Sequence, residues 1–322
     1  MNLTIVILNY RTPKLVIDCL ASLESEVKID RDKVIVVDNA SGDRSVETIQ
    51  AAITEKNWGN WAEVLPSAVN GGFSAGNNLG IQATKTDAYL LLNSDTIVRS
   101  GALDSLLKAM ETYPEAGIIS PRLEWPDTTP QISCFRYHSP WSELIDSAGT
   151  GPVTQLLKKY DVPIPVSNVP FEPQWTSFAC VLVRGKVIEQ IGLMDEGYFM
   201  YYDDVDFCRR TREAGWKILH WPEARVVHLR GGSGSVKSDV ATRKRPRPYL
   251  YASRSRYFAK FYGIPGLWLA NLCWLIGRGI SLSRELVKHK LPHTCEYQAL
   301  DVWMNWQNPM KPPLLPGKQT QS

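Results

Sequence analysis

The chain has 322 residues, 44% hydrophobic and 21% charged, enough for one large α/β domain with an appendage or for two smaller domains. Those fractions exclude a disordered, collagen-like or multi-span membrane chain, and a net charge of +3 gives no argument for nucleic acid. The six cysteines, at 19, 134, 180, 208, 273 and 295, form no C-x-x-C pair and no zinc-like spacing, and MNLTIVILNYRT lacks a charged-then-apolar leader. A reducing, cytosolic compartment is expected, with each thiol a small buried hydrophobe.

LTIVIL (3–8) and KVIVVD (33–38) are β-branched apolar runs around an amphipathic stretch from Pro13 to Glu26, where Leu15, Val16, Cys19, Leu20 and Leu23 recur at helical spacing. This is a β-α-β unit. WAEVLP, a helix from near Phe73, AYLLLN (88–93), a helix over Ala102–Thr112 and AGIIS (116–120) continue the alternation. Continuous apolar strands predict an α/β fold with a buried, mostly parallel sheet and helices on both faces. Ligands of such sheets bind beyond the carboxyl ends of the strands. Those ends are polar here: Asn9-Tyr10, Asp38-Asn39, NGGFSAGNN (70–78) and NSD (93–95).

Prolines at 121, 126, 130, 140, 152, 163, 165, 170 and 173 predict an inserted, partly irregular region over the cleft from about 121 to 174. WTSFACVLVRG (175–185) reads as a strand, and DDVDFCRRTREAGW as a helix of roughly ten residues closed by Gly215. WKILHW (216–221) and RVVHLR (225–230) read as two strands, followed by the loop GGSGS (231–235). From 237 to 260, Lys237, Arg243, Lys244, Arg245, Arg247, Arg254, Arg256 and Lys260 face one acid, Asp239. IPGLWLANLCWLI (264–276) is too short to span a bilayer, so no transmembrane helix is expected, and residues 308–322 read as a disordered tail.

The densest signal is FMYYDDVDFCRR (199–210), with Asp203, Asp204 and Asp206 among Phe199, Met200, Tyr201, Tyr202 and Phe207. Taken alone it fits a solvated acidic helix start, where unpaired N–H groups and the helix dipole favour carboxylates. A catalytic carboxylate cluster in a cleft that excludes water is the other reading.

Taken in order, VILNYR, VVDNASGD, NGGFSAGNNLG, LLLNSD, DEGYFMYYDDVDFCRRTREAGW and VVHLRGGS resemble the successive motifs of glycosyltransferase family 2. The likeness is greatest to bacterial rhamnosyltransferases of cell-surface polysaccharide assembly and covers roughly residues 1 to 235. It implies a GT-A fold, a nucleotide-sugar donor, Mg²⁺ or Mn²⁺, and inversion at the anomeric carbon. Residues 1–235 would be the transferase domain, 236–307 a basic, Trp-rich helical extension, and 308–322 the tail.

The resemblance assigns nucleotide binding to Asn9, Tyr10, Asp38, Asn39, Gly71, Gly72, Phe73, Asn77 and Asn93. A strand-end carboxylate such as Asp38 can accept from the N3–H of uracil or thymine while backbone N–H groups serve the ring carbonyls. An Asx-turn with Ser41 and Gly42 is its other reading. Gly71 and Gly72 fit a close approach to the nucleoside and, equally, a tight loop before a helix. Asp95 matches the last Asp of the family's D-x-D motif, which holds the metal against the diphosphate, although Asn93 stands at the first position. His228 falls where related enzymes supply a second metal ligand; a satisfied histidine at a strand end is the alternative. Asp204 takes the position of the general base and Asp203 that of its acidic neighbour, while Asp206 is left to cap the helix or to pair with Arg209 or Arg210. Repulsion among three carboxylates helps to raise one pKa.

A processive synthase would show Q-x-x-R-W and several membrane spans, and a sugar nucleotidyltransferase would show a GxGxRxxP loop; the sequence has neither. A non-catalytic sugar-nucleotide-binding protein on the same fold would be expected to lose Asp95 or Asp204, and both are present. The expectation is therefore a metal-dependent, inverting hexosyltransferase moving one sugar, with rhamnose suggested by overall likeness. The donor would be a dTDP- or UDP-sugar, and the acceptor a hydroxyl of a glycan or of a polyprenyl-diphosphate-linked sugar. The basic segment with Trp268, Trp274, Trp303 and Trp306 fits peripheral contact with anionic lipid on the cytosolic face of a bacterial inner membrane. Packing as a helical cap or a homodimer surface is the other reading of those tryptophans.

Overall fold

The computed structural model describes residues 1–230, 240–288, 292 and 294–313. Two compact units emerge, one of residues 1–135, 165–196 and 203–233, the other of 136–164, 197–202 and 234–322. The expected boundary at 235, the GGSGS loop, Lys237, Asp239 and tail residues 314–322 lie outside the described residues.

The first unit holds strands β1 (Leu3–Asn9), β2 (Asp32–Asp38), β3 (Ala62–Pro66), β4 (Ala88–Asn93), β5 (Thr96–Val98), β6 (Ala116–Glu124), β7 (Cys134–Phe135), β8 (Trp175–Thr176), β9 (Cys180–Arg184) and β10 (Lys217–His228). Eight of them form one sheet in the order β3-β2-β1-β4-β9-β6-β10-β5, and β7 pairs with β8. β1 runs parallel to β2 and β4, β2 to β3, and β6 to β10, while β9 lies antiparallel between β4 and β6 and β5 antiparallel to β10. The carboxyl ends of β1, β2, β4, β6 and β10 consequently share one edge of the sheet.

Alternate residues of β1 serve opposite faces. Ile5 and Ile7 join a core with Val16, Cys19, Leu20 and Leu23 of helix α1 (Pro13–Leu23), Ile49 and Ile53 of α2 (Ser45–Glu55), and Leu103 and Leu106 of a further helix, Ala102–Thr112. Val6 and Leu8 meet α3 (Gly72–Gln82) on the other face. A Cβ on Gly76 would overlap Leu8 Cδ1, and one on Gly80 would overlap Val6 Cγ1. Those glycines weaken the helix by about 1 kcal/mol each and set how close it can lie to the sheet. In chain order the later helices are α4 (Ala102–Thr112), α5 (Pro140–Ala148), α6 (Gly151–Leu156), α7 (Gly185–Ile191), α8 (Asp203–Glu213), α9 (Pro248–Lys288) and α10 (Gln298–Asp301).

The α/β expectation holds, with local corrections. The two strands expected at 216–221 and 225–230 are one, β10, whose pairing with β6 shifts between Trp221 and Arg225. The strand expected at 175–185 is two, β8 and β9. The proline-rich stretch is more ordered than expected: β6 runs through Pro121 to Glu124, and Pro140 opens α5 behind a capping box made by Ser139 and Ser142. Proline at the first helical position sacrifices no intrahelical hydrogen bond, so it starts a helix there. Gly215 adopts φ 92°, just past the end of α8, as a helix stop demands.

In the second unit, α9 packs along α5. Gly277 permits the approach, since a Cβ there would stand 2.5 Å from Leu144 O. A buried Arg254 Nε donates to Glu143 Oε2 at 2.9 Å; burial pushes the Glu143 carboxyl up and the guanidinium pulls it back. At Gly263 the backbone leaves helical geometry, with φ 70° and ψ 177°, and Pro265 follows. Among the described residues, no helix is long and apolar enough to cross a membrane. No cysteine is in a disulfide; five are buried and Cys295 is half-buried.

Candidate active site

The sheet register places Asn9 opposite Asp38, with Leu8 opposite Asn93, so three of the sequence-predicted residues leave adjacent strands at one edge. Asn9 Nδ2 donates to Asp38 Oδ1 at 2.7 Å, Ser41 Oγ donates to the same oxygen at 2.6 Å, and Ser41 N donates to Asp38 Oδ2 at 3.0 Å. The turn with Ser41 is therefore present. A carboxylate has roughly four acceptor positions, so these donors leave about one for a ligand.

Asn39 Nδ2 donates to Asn70 Oδ1 and to Gly72 O, both at 3.0 Å, which draws the loop before α3 against β2; its buried Oδ1 has no hydrogen-bond partner in the chain. Gly71 is the N-cap of α3 and Gly72 adopts φ 89°, so the tight-loop reading of these glycines holds in the backbone itself. Asn77 Nδ2 turns back onto Phe73 O at 2.9 Å, within its own helix. Tyr10 is half-buried, with the Arg11 guanidinium 5.2 Å from its ring centre.

Asp95 and His228 are brought together from positions far apart in the chain. β5 pairs His228 with Thr96, Leu229 N donates to Asp95 O at 2.9 Å, and His228 Nε2 stands 3.5 Å from Asp95 Oδ1. Both side chains are buried, and His228 Nδ1 has no hydrogen-bond partner. Gln131 Nε2 donates to His228 O at 2.7 Å, and Arg230 Nε donates to Gln131 Oε1. Burial pulls the Arg230 guanidinium below the ordinary arginine value while the charge of Asp95 acts the other way.

A carboxylate oxygen and an imidazole nitrogen 3.5 Å apart are of the types that could hold Mg²⁺ or Mn²⁺ at two points, with phosphates and water completing the shell. Among the described residues, no group of three or more His, Cys, Asp or Glu could cage an ion.

The aspartates of α8 form a graded set. Asp206 is fully buried and paired: Arg210 Nε donates to its Oδ1 at 2.7 Å, and the same guanidinium donates to Ile191 O and Leu193 O, so this acid is structural. Asp203 is buried, with Oδ1 accepting from Asp204 N at 3.1 Å and Oδ2 lacking a partner. Burial first, then the charge of Asp204, pushes the Asp203 carboxyl well above the usual carboxylate range. Asp204 is half-buried, and its Oδ1 accepts from Val205 N at 2.9 Å. The chain enters this helix through Tyr201 and Tyr202, at φ 68° and 64°. Two successive non-glycine residues in the left-handed region are a cost that functional sites retain.

Sequence reasoning missed Asn78, Gln131 and Arg230. Buried Asn78 on α3 donates to Met194 O and Glu196 Oε1, both at 2.9 Å, and accepts from Met194 N at 3.0 Å, pinning the approach to the acidic segment. The doubled asparagine of NGGFSAGNN was its only trace. Arg230 was visible two residues after His228, whereas nothing local marks Gln131.

The chain is similar to known proteins in sequence and in fold. The model of glycosyl transferase family 2 matches residues 4–148. An N-acetylglucosaminyl-diphospho-decaprenol L-rhamnosyltransferase of Mycobacterium tuberculosis is 28% identical over 271 residues, 79% of this chain and 82% of that protein. Among solved structures, GalNAc-T7 with UDP, GalNAc and Mn²⁺ superposes with a TM-score of 0.58 at 12% identity, covering 97% of this chain and 55% of that one. The mannosyltransferase PcManGT from Pyrobaculum calidifontis, in complex with GDP-Man and Mn²⁺, gives 0.56 at 14% identity, covering 96% and 84%. The class is thereby fixed as a glycosyltransferase with the GT-A fold. The chain resembles family 2 in particular, and the rhamnosyltransferases within it.

Proposed function

We infer that the protein transfers one sugar, with inversion, from a nucleoside-diphosphate sugar to a hydroxyl of a lipid-linked glycan in cell-surface polysaccharide synthesis. The observation that carries this reading is the pair Asp95 and His228, buried and 3.5 Å apart at the strand edge where Asn9 and Asp38 also lie. When bound there, Mg²⁺ or Mn²⁺ would neutralise charge gathering on the departing diphosphate.

Asp38 accepts from N3–H of uracil or thymine with its remaining lone pair, and Asn9 fixes its orientation. Asn39, Asn93 and the loop Gly71–Gly72–Phe73 line the nucleoside, with Tyr10 and Asn77 as their neighbours. Arg230 places a positive charge beside Asp95, suited to phosphate oxygens. Asp204 takes the proton of the acceptor hydroxyl as its oxygen bonds to the anomeric carbon; the bond from that carbon to phosphate breaks on the opposite face, and its electron pair leaves with the nucleoside diphosphate. Burial pushes the Asp203 carboxyl well above the usual carboxylate range, which disfavours a second negative charge beside the base.

The name of the Mycobacterium tuberculosis relative supports L-rhamnose as the sugar moved and an acceptor sugar on a polyprenyl diphosphate; the donor is taken to be dTDP- or UDP-linked, as the N3–H of either base suits Asp38. Such an acceptor belongs at the cytosolic face of a bacterial inner membrane. The test is to mix purified protein, Mn²⁺, a panel of dTDP- and UDP-sugars and a polyprenyl-diphosphate-linked N-acetylglucosamine, and to read the product by mass spectrometry. Transfer of one deoxyhexose from a dTDP-linked donor is expected. Hydrolysis alone, or no product with any donor, defeats the reading.

A further inference from the structure

Helix α9 is apolar on two opposite sides. Its inner side presents Trp274, Gly277 and buried Ser281 toward α5. At about 100° per residue, Trp268, Leu272, Leu275, Ile276, Ile280 and Leu286 fall within one arc on the other side. All six are exposed, Leu272 by 52% and Leu286 by 69%. Gly279 and Ser283 fill the gaps, so no charged residue interrupts this face over about 27 Å. A helix of a water-borne protein normally buries one stripe and turns polar residues outward; the outward stripe here is aliphatic.

Two further observations, an indole cluster and the charge of the surrounding sequence, indicate what covers it. Trp268 meets Trp303 and Trp306 edge-on, each ring pair 5.2 Å apart, placing three indoles at one end of the stripe. Between residues 240 and 313 the sequence holds twelve Lys or Arg against three acids; Arg245, Arg254 and Arg278 are paired with Asp301, Glu143 and Glu285, which still leaves a surplus of positive charge. An aliphatic face with an indole cluster and a surplus of bases matches the interface of an anionic bilayer: acyl chains for the stripe, the headgroup level for the indoles, phosphate for the bases.

We propose that the face of α9 from Trp268 to Leu286 is a membrane-binding surface that lies flat in the headgroup–acyl boundary of an anionic leaflet. This gives the membrane placement inferred above a physical surface. Vesicle binding is read without any transfer assay, so either inference can fail alone.

The full chain is incubated at low salt with vesicles of phosphatidylcholine containing one part in four phosphatidylglycerol, and with vesicles of phosphatidylcholine only, then pelleted. The wild type is expected to pellet with the anionic vesicles and to release as salt rises. Leu272→Glu with Ile276→Glu should weaken vesicle binding by about tenfold or more. Ser283→Glu, at an exposed position that asks nothing of the core, should weaken it in the same direction while its circular dichroism and melting temperature match the wild type. Wild-type protein left in the supernatant with both vesicles overturns the proposal. So does equal binding by the Ser283→Glu variant, or a wild-type dimer that the double variant converts to monomer without any vesicle affinity, in which case a second copy covers the stripe.

Discussion

Asn9 and Asp38 face each other across the carboxyl ends of neighbouring parallel strands, the amide donating to the carboxylate at 2.7 Å. Replacing one carboxylate oxygen by NH₂ turns an acceptor into a donor that confronts either Asn9 or Ser41. Asp38→Asn should lower stability by about 1–3 kcal/mol in urea denaturation. It should also weaken UDP or dTDP binding by about tenfold in calorimetry. Lost stability with unchanged nucleotide affinity would reduce Asp38 to a turn residue.

Asp204→Asn keeps the shape of the side chain and removes its capacity to take a proton. Its kcat should fall by about 10²–10⁴-fold, while nucleotide affinity and melting temperature stay at wild-type values. Single-turnover assays beside calorimetry separate the two readouts.

Asp203 gives a pH-dependent signature. Its folded-state pKa is raised, mainly by burial, so the folded chain holds this proton to higher pH than the unfolded chain. The stabilisation is complete below the ordinary carboxylate range, near pH 4, and disappears as pH rises through the raised folded value. Asp203→Asn cannot ionise. Its stability should match the wild type in acid and exceed it increasingly toward pH 8, as thermal melts across that range would register.

For the metal, His228→Ala should raise the Mn²⁺ concentration needed for half-maximal activity by about tenfold or more. The same variant should weaken Mn²⁺ binding in the presence of UDP, measured by calorimetry with the protein otherwise intact. Equal Mn²⁺ affinity in variant and wild type would return His228 to the role of a buried strand-end residue.

Gly80→Ala tests the approach of α3 to the sheet. Higher helix propensity favours alanine by about 1 kcal/mol, but the added Cβ overlaps Val6 Cγ1, and overpacking costs about 1–3 kcal/mol. A net loss in chemical denaturation is expected. Combining it with Val6→Ala should recover part of that loss.

The strands of the first half, β1 to β4, and the helices between them were legible because those strands are short, continuous apolar runs, and runs such as LTIVIL have few alternatives to a doubly covered sheet. The pairing of Asp206 with Arg210 was legible from helical spacing. Gly76 and Gly80 were not, since a glycine inside a helix says that something lies close without saying what. Nor were the bonds of Asn78 to residues 194 and 196, because a side chain that acts across more than a hundred positions leaves no local period. Prolines misled where they stand at the first turn of a helix instead of inside one.

One of the points where the chain passes from one compact unit to the other is the peptide bond joining Tyr202 to Asp203. Both tyrosines before that bond hold a backbone hand opposite to that of the helix after it. The acidic helix is therefore not a portable cassette. Transplanted into another scaffold, the sequence from Asp203 onward would still wind into a helix, but the direction from which the chain reaches its first carboxylate would be lost with the two tyrosines.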